Sequence, residues 1–274
     1  MDKKHKIGRK TALLTGASGF FGRQFTEALL NTGLKVIAID QNKNGLESMR
    51  KELNGRFGHK LFTYQVDLYN RNQTKELYRK IIKEHKKIDI LVNNAFDFSS
   101  KTGFNTPEGK IEKATHDQFL ACFEAGVYWA FETTQVFGLA MKGNGGGLIV
   151  NIGTMYAQFV PNPSLYEGTP QFNPWGYSAS KGALLQFTRY AAAWLAPEVR
   201  VNMISPGVFP HPPKGTKNPP SSAVLDRLQK KILLRRVGKP EDLVGALLFL
   251  ISDASSYITG QNFCIDGGIT VTVT

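Results

Sequence analysis

The stretch Lys10-Thr11-Ala12-Leu13-Leu14-Thr15-Gly16-Ala17-Ser18-Gly19-Phe20-Phe21-Gly22 reads as a buried strand, a glycine turn and the start of an amphipathic helix running to about Leu30. That order is the order of a dinucleotide cradle. Glycine takes the positive φ such a turn needs and lets the backbone approach a pyrophosphate, whose charge meets the amides at the helix N-terminus. A second strand, Lys35-Val36-Ile37-Ala38-Ile39, ends in Asp40. A carboxylate about 20 residues beyond the glycines accepts hydrogen bonds from the adenosine ribose and repels a 2′-phosphate. The competing role for Asp40 is a helix cap, and Lys43 close behind it softens the preference. The balance favours NAD over NADP.

Further along, Leu61 to Val66 reads as a third strand ending at Asp67-Leu68, Thr74 to Lys87 as a charged helix, and Ile88 to Val92 as a fourth strand ending in Asn93-Asn94-Ala95. Such alternation predicts an α/β fold: a doubly wound parallel sheet of three layers, with ligands at the carboxyl ends of its strands. Phe96 to Lys113 is a polar connection, and His116 to Met141 a long apolar helix that is buried or at a subunit interface. Asn144-Gly145-Gly146-Gly147 stops it before a fifth strand, Leu148 to Ile152, which ends at Gly153-Thr154. A helix carrying Tyr177 and Lys181 continues to about Leu195, and a sixth strand, Arg200 to Ser205, ends at Pro206-Gly207. A helix ending near Leu234, another from Glu241 to Ser252 and a strand from Asn262 to Ile265 complete the pattern. Two long connections, 155–176 and 208–223, fall at the ligand edge, where long loops shape substrate pockets. The second holds Lys214 and Lys217 and reads as a lid, against a plain surface loop.

The chain has 274 residues and is 42% hydrophobic, which suits one α/β domain spanning 1–274. Lys and Arg exceed Asp and Glu by 34 to 22, a formal charge of +12 that attracts anionic ligands. The basic residues are scattered over helix faces such as Lys80, Lys83, Lys86 and Lys87, without a basic-aromatic recognition motif, so nucleic acid is not the expected partner. Cys122 and Cys264 stand apart in apolar surroundings, as core thiols of a reducing compartment do. The N-terminal Met1-Asp2-Lys3-Lys4-His5-Lys6 is polar and no long apolar run follows it. These features predict a cytoplasmic protein with no membrane span and no metal site.

Tyr177-Ser178-Ala179-Ser180-Lys181 places a phenol and an ammonium four residues apart, on one helix face. Free tyrosine titrates near ~10, and an adjacent positive charge lowers that value toward a working proton donor and acceptor. Alone, such a pair is common on helix surfaces. Its weight comes from its place beside the cradle.

The ordered set resembles the short-chain dehydrogenase/reductase family in its compact form. The residues carrying the resemblance are Thr15-Gly16 with Gly19 and Gly22, Asp67, Asn93-Asn94-Ala95, Tyr177 to Lys181, Arg200-Val201-Asn202, Pro206-Gly207, and Tyr257-Ile258-Thr259-Gly260 before Asp266-Gly267-Gly268. The resemblance implies a Rossmann-like sheet of seven strands, a nicotinamide cofactor, and a homodimer or homotetramer. It implies Tyr177 as general acid or base, Lys181 as the residue that lowers its pKa and binds the nicotinamide ribose, and Thr154 as the hydroxyl orienting the substrate, where the family usually has serine. It implies cofactor contacts from Gly16, Ser18, Gly19, Phe21, Gly22, Asp40, Asp67, Leu68, Asn93, Ala95, Tyr177, Lys181, Pro206, Gly207 and Phe209.

Four positions depart from the family pattern. Gly19 followed by Phe20 gives the glycine spacing of the extended, sugar-nucleotide branch; Gly126 stands for the family's catalytic asparagine; Phe96 stands for a glycine, and His211 for a threonine. The loop with Tyr166-Glu167-Gly168-Thr169 resembles a subset among oxidoreductases of bacterial surface-glycan and sialic-acid-like sugar pathways. The expected function is NAD(H)-dependent interconversion of a secondary alcohol and a ketone, with an anionic or nucleotide-linked sugar as substrate class. The alternatives are a weakly active cofactor-binding scaffold, which Gly126, Phe96 and His211 would favour, and a nucleotide-sugar epimerase or dehydratase, which the glycine spacing would favour.

Overall fold

A computed structural model describes residues 10–104, 106–211 and 222–271. The apolar runs form seven strands: β1 (Thr11–Thr15), β2 (Lys35–Asp40), β3 (Leu61–Gln65), β4 (Ile90–Asn93), β5 (Gly147–Ile152), β6 (Val199–Pro206) and β7 (Asn262–Ile265). They pair in parallel in the order β3-β2-β1-β4-β5-β6-β7. Helices cover both faces because central strands such as β1, buried throughout from Ala12 to Thr15, have no polar face to offer water. One apolar layer packs Ala12, Leu14, Val36, Val92 and Ile204 under α1 (Phe20–Asn31), α2 (Lys43–Phe57) and α9 (Glu241–Leu250). The opposite layer packs Leu13, Ile37, Leu91 and Ile149 under α3 (Arg71–His85), the helical segments α4 (His116–Phe123), α5 (Trp129–Thr133) and α6 (Leu139–Gly143), and α7 (Trp175–Leu195).

The long helix expected from His116 to Met141 is present but wound unevenly. Two π-turns, Glu124–Tyr128 and Thr134–Gly138, join α4, α5 and α6, and such turns concentrate at functional sites. Sequence patterning leaves α2 unassigned. Gly45 in its first turn obscures the helical signal, yet is required there, because a Cβ would lie 2.6 Å from the Ser18 hydroxyl. The helix following the 208–223 connection, α8 (Ala223–Lys231), ends before Leu234. Residues 212–221, with Lys214 and Lys217, lie outside the described residues, as does most of the expected lid. A small third cluster of Met155, Val208 and Ile232 ties together the two long connections.

The direction of winding reverses between β1 and β4. In a doubly wound Rossmann-like sheet, the crevice at that switch point, beyond the carboxyl ends of the strands, is where ligands bind. Among the described residues, no helix is long and apolar enough to cross a membrane.

Candidate active site

A cleft of about 320 Å³ opens at the switch point. Of the residues expected at the cofactor, Gly16, Ser18, Gly19, Phe21, Asp40, Leu68, Ala95, Tyr177 and Lys181 line it. Gly16 has φ +64°, and a Cβ there would lie 2.9 Å from the Ala95 Cα. Gly22 does not line the cleft but lets α1 approach the turn, since its Cβ would fall 2.1 Å from the Gly16 carbonyl oxygen. No side chain caps α1 and no acid stands in its first turn, leaving amides for an anion. These residues fit a dinucleotide. Asp40 accepts amides from Ser18 and Asn42, each at 2.9 Å, so it braces the turn as well as facing the cleft.

Other expected contacts lie elsewhere. The Asn93 side chain turns into the core, donating to Asn151 at 2.9 Å and accepting from Thr133 at 2.7 Å, because successive strand side chains point to opposite faces. Its neighbour Asn94 lines the cleft and donates to the carbonyls of Thr15 and Gly16. Asp67 is exposed and accepts the Tyr69 amide. Pro206 is buried at the end of β6, while Gly207 and Phe209 line a neighbouring cavity.

Tyr177 and Lys181 lie one turn apart on α7, both buried. Burial pushes the Tyr177 phenol up to about 12, while the Thr154 hydroxyl pulls it down. Burial pushes Lys181 down to about 7. Its Nζ donates to the Ile152 carbonyl at 3.0 Å and lies 5.1 Å from the centre of the Phe96 ring. Desolvation acts on both groups at once, disfavouring the ammonium's charge and raising the phenol.

Of the four departures from the family pattern, Phe20, Phe96 and His211 line this cleft, and Gly126 lies behind Ser180. Phe96 packs edge-on against Tyr177 at 4.9 Å between ring centres. Phe98 and Phe104, to which sequence patterning gives no role, enclose the same phenol at 6.0 and 5.3 Å. Aromatic residues in a polar connection at a strand's carboxyl end are the signal that marks them. Phe20 lies 4.3 Å from His211 across the cleft, and both line it. Gly126 falls in the first π-turn, where a Cβ would meet the Ser180 hydroxyl at 2.2 Å. The helix backbone thus lies against α7 where a longer side chain would stand.

Comparison with known proteins agrees with this architecture. The family model described as "Enoyl-(Acyl carrier protein) reductase" matches residues 16–270. The 3-oxoacyl-(acyl-carrier-protein) reductase FabG of Thermotoga maritima is 33% identical over 267 residues, covering 97% of this chain and 100% of that protein. A short-chain dehydrogenase from Leptospira borgpetersenii with bound NAD+ superimposes with a TM-score of 0.82 at 30% identity, over 98% of this chain and 96% of that one. An NADPH-dependent 3-quinuclidinone reductase from Rhodotorula rubra gives a TM-score of 0.81 at 26% identity, over 98% and 94% of the two chains. With the family model matched over residues 16–270 and a relative 33% identical over its full length, the chain belongs to the short-chain dehydrogenase/reductase family of oxidoreductases.

Proposed function

We propose that this chain interconverts a secondary alcohol and a ketone with NAD(H). The observation that carries the reading is the burial of Tyr177 and Lys181 in the cleft bounded by the glycine turn and Asp40. The nicotinamide supplies or accepts the hydride; the chain supplies position and a proton. A phenol raised to about 12 is protonated at neutral pH, so Tyr177 donates to the carbonyl oxygen during reduction. Thr154 orients that oxygen, and Lys181 holds the nicotinamide ribose. Net consumption of NADH with a ketone separates this reading from a scaffold without turnover and from a cofactor-retaining epimerase or dehydratase.

Asp40 supports NAD as the cofactor, through its carboxylate at the cleft. Because Asp40 also braces Ser18, the informative variant is Asp40→Asn, which keeps an acceptor while removing the charge. Nicotinamide fluorescence titrations should show NADH preferred by the unmodified chain and that preference falling about tenfold in Asp40→Asn, the scale of removing one unfavourable charge contact. Equal affinities for NADH and NADPH in the unmodified chain would remove Asp40 from the selection.

The reading includes a cytoplasmic homodimer or homotetramer. Its support is the two free cysteines and the outward aromatic face of α7, where Tyr190 and Trp194 are exposed and stack at 6.2 Å. Sedimentation equilibrium should give a two- or fourfold monomer mass that Trp194→Glu reduces; a monomer before substitution would refute the assembly.

A further inference from the structure

Two cavities beside the cleft are larger than the reacting groups of a small polyol require. One of about 750 Å³ is walled by Met155, Phe172, Val208, Phe209, Val224 and Leu225. His211 lines both this cavity and the cleft that holds Tyr177. A second, of about 730 Å³, lies beside Ser178 and Ala179 on α7 and opens past Ile111 and Val160, which are 69% and 80% exposed. Lys110, Tyr156, Tyr166, Gln171 and Phe172 line both cavities, so the two are adjoining lobes. Cavities of this size suit a ligand of drug-like dimensions whose surface is largely apolar.

Charge is distributed unevenly. Lys110 is exposed where the lobes meet, with its Nζ 5.8 Å from the centre of the Phe172 ring. Among the described residues, no carboxylate lines the lobe next to His211; Glu112 and Glu167 line the other lobe and are exposed. An apolar body in the first lobe would cover its Met, Val, Leu and Phe walls, which the hydroxyls of a free polyol would leave unmatched. Its anionic end would face Lys110.

We propose that the substrate alcohol or ketone carries an extended apolar body, seated in the lobe walled by Met155, Phe172, Val208 and Leu225, and an anionic group that meets Lys110. This substrate class rests on the oxidoreductase reading, while the binding site it describes does not.

The test uses the NADH complex of the full chain with levulinate, a ten-carbon methyl-ketone carboxylate, the methyl ester of that carboxylate, and dihydroxyacetone. Initial rates and calorimetric binding are measured for each. The longer keto acid should exceed levulinate in kcat/KM by about 100- to 1,000-fold, since each added methylene that is buried contributes roughly fourfold. It should exceed its own ester by about tenfold, a margin lost in Lys110→Ala, as for one contact to a charged group. Phe172→Ala should reduce the advantage of chain length, and a chain-length advantage that survives that substitution would overturn the placement of the apolar body. Preference for dihydroxyacetone, or rates independent of chain length, would overturn the proposal and leave the oxidoreductase reading standing. Binding that tightens with chain length and depends on Lys110, without turnover, would support the site and count against the oxidoreductase reading. Keto acids that are neither bound nor turned over would overturn the proposal.

Discussion

Tyr177→Phe should lower kcat by about 100- to 10,000-fold, the range that one general acid or base contributes, and change NADH affinity less than about twofold. The substitution removes one oxygen and keeps the ring that packs against Phe96, Phe98 and Phe104. The melting temperature should change little, so a loss of rate reports chemistry. The direction of reaction gives a second readout. A phenol pushed up to about 12 is a ready donor for ketone reduction across neutral pH, whereas alcohol oxidation needs its deprotonated form. Oxidation should therefore rise with pH toward that value, close to tenfold per unit when proton transfer limits the rate, while reduction stays flat. Turnover retained in Tyr177→Phe would refute the assigned role.

Gly126→Asn, which restores the family's asparagine, should destabilise the protein by about 3 kcal/mol, the scale of overpacking a core contact. A Cβ at 126 falls 2.2 Å from the Ser180 hydroxyl and 2.5 Å from its Cβ. Ser180 is fully buried and its hydroxyl donates to the Tyr177 carbonyl at 3.0 Å, so it has no free space to move into. The melting temperature should fall by roughly 10 °C, with no gain in kcat. Adding Ser180→Gly removes both clashing atoms, and the double variant should recover part of the loss, a non-additivity that marks direct contact. A Gly126→Asn protein that melts like the original and turns over faster would show that the position is open to the family residue.

The sheet, and the edge at which it works, are legible in the order of residues alone. Apolar runs such as Ala12 to Leu14 and Val36 to Ile39 can only be covered on both faces, and their alternation with helices sets a parallel sheet. Glycines at 16 and 22 mark where backbone must approach backbone, and Asp40 marks the end of β2 beside them. Tyr177 and Lys181 are within one turn, so their proximity is local and equally legible. What lies across from each of these groups is settled by the folded chain. Asn93 faces the core while Asn94 faces the cleft, a choice set by strand pairing rather than residue type. Phe98 and Phe104 reach Tyr177 from about 75 residues away in the chain, and Gly126 meets Ser180 from another helix. Periodicity records which face of an element is buried; it does not record which distant side chain fills the space opposite. Burial is likewise decided by the fold: spacing puts Tyr177 and Lys181 on one helix face, and their enclosure raises the phenol and lowers the ammonium.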